Sequence, residues 1–284
     1  MNETQANTLV VTLVTITNLL LAFLVSGIVI WVLGEDPWFA LKTMLYGAFG
    51  YDEGLGYTLY YTTNFIFTGL AFAVGFHCGL FNIGAEGQAY IGGLGVGLVC
   101  LWLENWPLWL VFPLAVLASI VLGGLWGAIP GYLKAKRGSH EVVTTIMFNF
   151  IASVVMVNLL SHVLRPPKEM SPESREFGEG VWIPQMHEIF EWFGIEITQT
   201  PLNGTFIFAL ICLFLVWRFI WYTRWGYELR TVGTNETAAV YAGISVSKNI
   251  IIAMVIGGGL AGFVGINEIM GSSHRLMLNF QAGI

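Results

Sequence analysis

Few residues in this sequence have chemical capacity, and they are concentrated. The stretch His77-Cys-Gly-Leu-Phe-Asn-Ile-Gly-Ala-Glu-Gly-Gln88 places Asn82, Glu86 and Gln88 close together beside Phe81, punctuated by Gly79, Gly84 and Gly87. Two amides and a carboxylate can hydrogen-bond the hydroxyls or base edges of a solute. Equally, Glu86 can satisfy backbone N–H groups freed where glycines interrupt a helix. The rest of the chain excludes familiar catalysis. It has no Gly-x-x-x-x-Gly-Lys-Ser/Thr phosphate loop and no Gly-x-Ser-x-Gly elbow. His77, His140, His162, His187 and His274 are scattered without zinc spacing. Cys78, Cys100 and Cys212 lie in or beside apolar runs and read as buried free thiols. No enzyme activity, metal, cofactor or nucleic-acid partner is expected.

The elements that must position this stretch are membrane helices. Of 284 residues, 56% are hydrophobic and only 11% charged, against about 25% charged in a soluble domain. Seven apolar runs, residues 9–33, 58–76, 79–103, 109–133, 142–164, 204–221 and 250–270, are each of a length to cross a bilayer as a helix. The expected fold is an all-α polytopic transmembrane bundle, a single transmembrane domain over residues 1–284, broken near residues 77–88. The first run has no basic residue before it, so it does not read as a cleaved signal. Non-helical backbone at membrane depth survives only where it is buried in protein or lines a cavity. Residues 77–88 are therefore either such a break or a turn at the cytoplasmic surface with Glu86 in water.

Charge gives the orientation. Lys134, Lys136 and Arg137 lie in one short loop, and Arg218, Arg224, Arg230 and Lys248 in another region. Both become cytoplasmic if the spans alternate from a cytoplasmic N-terminus. The glutamate-rich loop 165–203 and residues 271–284 then lie outside. Rows of small residues (Gly93 and Gly97; Gly123, Gly127 and Gly131; Gly258 and Gly262) suit close packing of helices, and Pro130 is a candidate kink. In the cytoplasmic segment 224–248, Asn235 can cap a short helix whose Ala238, Ala239 and Ala242 would share a face. That face suits docking into a partner's groove; the alternative is a loop lying on the membrane surface.

Three stretches carry a family resemblance. Gly79-Leu-Phe-Asn-Ile-Gly-Ala-Glu-Gly-Gln88, Gly138-Ser-His-Glu-Val-Val-Thr-Thr-Ile-Met-Phe-Asn-Phe-Ile151 and Arg230-Thr-Val-Gly-Thr-Asn-Glu-Thr-Ala-Ala-Val-Tyr-Ala-Gly-Ile244 resemble, in this order, the permease subunits of ABC importers for nucleosides and simple sugars. The resemblance implies cytoplasmic ATPase subunits that bind the ATP, a second permease subunit (identical or paralogous), an extracytoplasmic substrate-binding protein and a multi-pass place in the cell membrane. It implies a pathway beside Phe81, Asn82, Glu86 and Gln88, and coupling to the ATPase through Gly233, Asn235, Ala238, Ala239 and Gly243. Relatives continue past Gln281-Ala-Gly-Ile284 with a Gly-rich stretch and further helices, so a longer parent chain is expected. No residue chooses between nucleoside and sugar.

Rival classes leave weaker traces. An ion-coupled secondary transporter needs paired intramembrane charges, and only Glu86 and Glu268, near a helix end, qualify. A channel's repeated selectivity loop is missing.

Overall fold

A computed structural model describes residues 3–167, 169–195 and 197–280. Lys168, Glu196 and residues 281–284, used in the charge reading and the resemblance above, lie outside the described residues. Backbone polar groups in hydrocarbon must be paired within their own segment. Among the described residues regular structure is accordingly helical, apart from one bridge between Gln185 and Asn203.

The chain divides into two compact units, Met1–Leu55 and Gly56–Ile284. The first holds α1 (Glu3–Val32) and α2 (Pro37–Phe49). Helix α2 was not anticipated within residues 34–56. Its start is nevertheless written locally: Asp36 caps it by accepting from the Trp38 N–H at 2.9 Å, and Pro37 takes the first helical position.

The second unit holds most of α3 (Asp52–His77), then α4 (Ala85–Trp102), α5 (Leu108–Arg137), α6 (Glu141–Leu159), α7 (Met186–Glu191), α8 (Thr205–Tyr222), α9 (Arg224–Thr234), α10 (Glu236–Tyr241) and α11 (Val246–Gly262). Two π-helical turns, Leu160–Leu164 and Ile266–Ser273, extend α6 and follow α11. Among the described residues, six helices are long and apolar enough to cross a membrane: Val10–Val32, Asp52–His77, Leu108–Arg137, Glu141–Leu164, Thr205–Tyr222 and Val246–Ser273. The expected run 79–103 differs. Its first residues are not helical, and the 18-residue α4 that follows carries Glu86 and Gln88. Most of α4 is buried, so protein rather than lipid solvates it.

Helices α4, α5 and α11 pack most extensively on one another, and the small-residue rows are the reason. A Cβ on Gly123 would collide with the Gly258 carbonyl, one on Gly127 with the Met254 carbonyl, and one on Gly92 with Gly262. Helix α5 runs on through Pro113 and Pro130. Gly258→Ala is expected to force α5 and α11 apart and cost about 1–3 kcal/mol, read as a lower Tm in detergent. Gly69→Ala, whose Cβ meets nothing within 4 Å, is the control and should stay within about 0.5 kcal/mol.

Segments expected on one side of the membrane meet. Loop residues Ser174, Phe177 and Ile183 donate backbone hydrogen bonds to Leu276, His274 and Met270 at 2.9–3.1 Å, and Arg175 pairs with Glu104. At the other end Lys134 pairs with Glu141 at 2.8 Å and Ser247 Oγ donates to Ala135 O at 3.2 Å.

Candidate functional site: a buried helix break

Helix α3 ends in a Schellman turn. The Leu80 and Gly79 N–H groups donate to the Gly75 and Phe76 carbonyls, both at 3.0 Å. This turn needs a left-handed residue, and Gly79 supplies it at φ +76°. The chain then runs without helix to Ala85, yet Cys78, Leu80, Asn82 and Gly84 are buried. Backbone polar groups in such a segment need partners, and side chains from two directions provide them.

The first direction is local. Asn82 Oδ1 accepts from the Gly84 N–H at 2.9 Å, while its Nδ2 donates to Gln88 Oε1 at 3.1 Å and Gln88 Nε2 donates back at 3.3 Å. Asn82 and Gln88 are 2% and 1% exposed, so this reciprocal amide pair sits in the protein interior. It faces Gly257 and Gly127. Gly257 lies about 16 Å along α11 from Val246 at 1.5 Å per residue, so the segment re-enters the bundle and is not a surface turn.

The second direction is α6. Asn149 Oδ1 accepts from the Gly87 N–H at 3.0 Å, one of the orphan donors of α4's first turn, and its Nδ2 donates to Ile83 O at 2.9 Å. Both Asn149 and Thr145, which packs 3.1 Å from the Cβ position of Gly84, belong to the second family-like stretch. Sequence reasoning quoted that stretch without assigning Asn149 a role. An amide inside an apolar run was the available signal.

Glu86 takes no part in this bracing. It is exposed on the isolated chain and receives no hydrogen bond from the described residues, and Phe81 and Ile83 are exposed beside it. The predicted set thus splits: Asn82 and Gln88 turn inward and hold the break, while Phe81 and Glu86 turn outward.

The third stretch also reaches the break. A Cβ on Gly233 would collide with His77 O and lie 2.8 Å from Gly79 N and 2.9 Å from Cys78 C. Only a glycine lets α9 approach this closely. Nearby, the Arg230 guanidinium lies over the Trp221 ring at 4.6 Å and His77 meets that ring edge-on at 5.7 Å. Asn235 caps α10, accepting from the Ala238 N–H at 3.0 Å, as expected. The alanine face needs correcting. Ala238 and Ala242 are exposed with Val240 and Tyr241, but Ala239 is fully buried. Successive helical residues are about 100° apart, and that step turns Ala239 into the core. Gly243 is exposed, with φ +75° at the end of α10.

A second polar cluster was not anticipated. Asn203 Nδ2 donates to Asn267 Oδ1 at 3.0 Å, Asn267 Nδ2 to Asn64 Oδ1 at 2.9 Å, and Asn64 Nδ2 to Glu268 Oε1. Only Glu268 of this chain had been singled out.

Comparison with known proteins gives this geometry its class. Residues 54–283 match the family described as branched-chain amino acid transport system / permease component, and the chain belongs to that family. It is 34% identical over 260 residues to the guanosine ABC transporter permease protein NupP of Bacillus subtilis, covering 92% of this chain and 72% of the relative. It is 31% identical over 263 residues to the nucleoside ABC transporter permease protein NupB of Lactococcus lactis, covering 89% and 69%. The ribose import permease protein RbsC of Escherichia coli is 32% identical over 155 residues, covering 55% and 44%. No solved structure matches the chain. The protein is therefore a polytopic membrane permease of the ABC importer type, a transport subunit and not an enzyme. This membership favours the ATP-driven reading over the ion-coupled one.

Proposed function

We propose that this permease forms half of a translocation pathway for a nucleoside or simple sugar, shared with a second permease subunit and driven by cytoplasmic ATPase subunits that bind the ATP. An extracytoplasmic binding protein delivers the cargo to the face formed by residues 165–203. One observation carries the mechanism: the backbone of Gly233, in the coupling segment, rests directly on residues 77–79 at the break. Motion of α9 and α10 on ATP binding is transmitted there without an intervening flexible side chain. Asn149 ties the other end of the break to α6, so the displacement reaches two membrane helices together, as alternating access requires. Phe81, Ile83 and Glu86, exposed on the single subunit, face the shared pathway. Names of the similar permeases support nucleosides first and simple sugars, glucose and ribose, second.

The docking surface is Ala238, Tyr241 and Ala242, with Gly243 and the Asn235 cap shaping it. Cysteines at Ala238 and Tyr241 are expected to crosslink to the ATPase in the assembled importer, with yields that change when ATP is added. A cysteine at Ala239 should not react, because that side chain is buried. Crosslinking at Ala239 with none at Ala238 or Tyr241 would reverse the assigned face; none at any of them would remove the docking role.

A further inference from the structure

We infer that the cavity at the opposite end of α3 from the break is a cargo site for a neutral ring solute bearing vicinal hydroxyls, the chemistry shared by ribonucleosides and monosaccharides. The inference rests on the permease reading above and deepens it by naming contact residues. The cavity measures about 490 Å³, within the usual range for small-molecule sites. It opens beside the segment 165–203, since Pro201 lines it together with the first turns of α3 and residues 268–280.

Its polar wall is built, not incidental. The π-helical segment Ile266–Ser273 presents Glu268, and such turns recur at functional sites. The carboxylate accepts from Asn64 Nδ2, and Tyr60 lines the cavity beside it. Asn64 is in turn fixed by Asn267, and Asn267 by Asn203. This amide chain locks the carboxylate in one orientation. An ionised carboxylate has about four acceptor positions and Asn64 fills one, so enough remain for the paired hydroxyls of a vicinal diol. Next to this polar wall, α3 also brings aromatic rings to the cavity. Tyr57, Tyr61 and Phe65 line the cavity and are 49%, 54% and 54% exposed. Their rings offer flat faces to a nucleobase or to the C–H face of a sugar. No Lys or Arg is among the described lining residues, so a phosphorylated cargo would meet Glu268 without a compensating cation.

The test uses membrane vesicles carrying the complete importer. Glu268→Gln is expected to raise KM for guanosine uptake about tenfold or more, the worth of a lost charge-assisted hydrogen bond. Because Glu268 also anchors a buried network, Tyr61→Cys supplies an independent reading at an exposed ring. The native cysteines of this subunit are buried, so labelling of this subunit by a membrane-impermeant thiol reagent added outside reports on position 61. Guanosine or ribose at saturating concentration should slow this labelling several-fold, and whichever protects identifies the cargo class. The 2′,3′-dideoxynucleoside and guanosine monophosphate should not protect. Equal protection by the monophosphate overturns the neutral-ligand assignment. Wild-type ATP-dependent uptake with no cargo protection at position 61, no labelling there, or an unchanged KM for Glu268→Gln overturns the site and leaves the permease reading standing. Absence of ATP-dependent uptake of either cargo in the wild type overturns that reading itself.

Discussion

Gly233→Val is expected to leave the importer assembled but to cut ATP-driven uptake about tenfold or more. The added side chain collides with the His77 carbonyl and crowds Gly79 N and Cys78 C at 2.8 and 2.9 Å. Backbone atoms cannot rotate away as a side-chain tip does, so either α9 lifts off or the Schellman turn at Gly75–Leu80 reforms. Overpacking of this kind costs about 1–3 kcal/mol. A coupling free energy of that size changes a linked equilibrium about 5- to 150-fold. The informative quantity is solute moved per ATP hydrolysed, measured alongside Tm in detergent. A fall in that ratio larger than Gly258→Ala produces at a similar loss of Tm places the damage in transmission. A ratio equal to wild type would end the claim that α9 drives the break.

Loss of the Asn149 side chain should have the largest effect on stability. Asn149→Ala leaves the Gly87 N–H and the Ile83 carbonyl without partners. Each unsatisfied group costs about 1–3 kcal/mol, hence roughly 2–6 kcal/mol together, or a Tm lower by about 5 °C or more. Uptake should fall with it, because α4 would no longer be tied to α6 at its first turn. Thr144→Ala on the same helix is the reference. Thr144 bonds only to carbonyls of its own helix start, His140 O and Glu141 O, and its loss should stay within about 0.5 kcal/mol. Equal Tm values for the two variants would show that Asn149 is no clamp.

These predictions rest on contacts that join residues far apart in the chain, and that explains what was and was not legible beforehand. The polar identity of Asn82, Glu86 and Gln88 was plain, since amides and charges are costly among apolar runs. Their division of labour was not. Asn82 and Gln88 pair with each other, whereas Glu86 emerges on the outside, and seven adjacent letters do not say which way each side chain points where a non-helical stretch passes into the first turn of α4. The alanines of α10 fail for a related reason. In a six-residue helix a rotation of one position exchanges core for surface, and periodicity over so short a segment does not fix the phase. Helix α2 was missed although its Asp36-Pro37 start signal was present.

The sequence by itself determined the solvent and the class of element. Long apolar runs with few charges belong in hydrocarbon, where backbone hydrogen bonds must close within a helix, and glycine rows mark where helices approach. Three short stretches determined the family. Only the tertiary structure decided that these stretches converge on one re-entrant break, that Asn149 and Gly233 are its anchors, and that Glu268 is held by a chain of amides at the far end of α3. The physical reason is range. Solvation and backbone pairing act residue by residue along the chain, whereas the partner of a buried amide is set by how helices separated by many residues happen to pack.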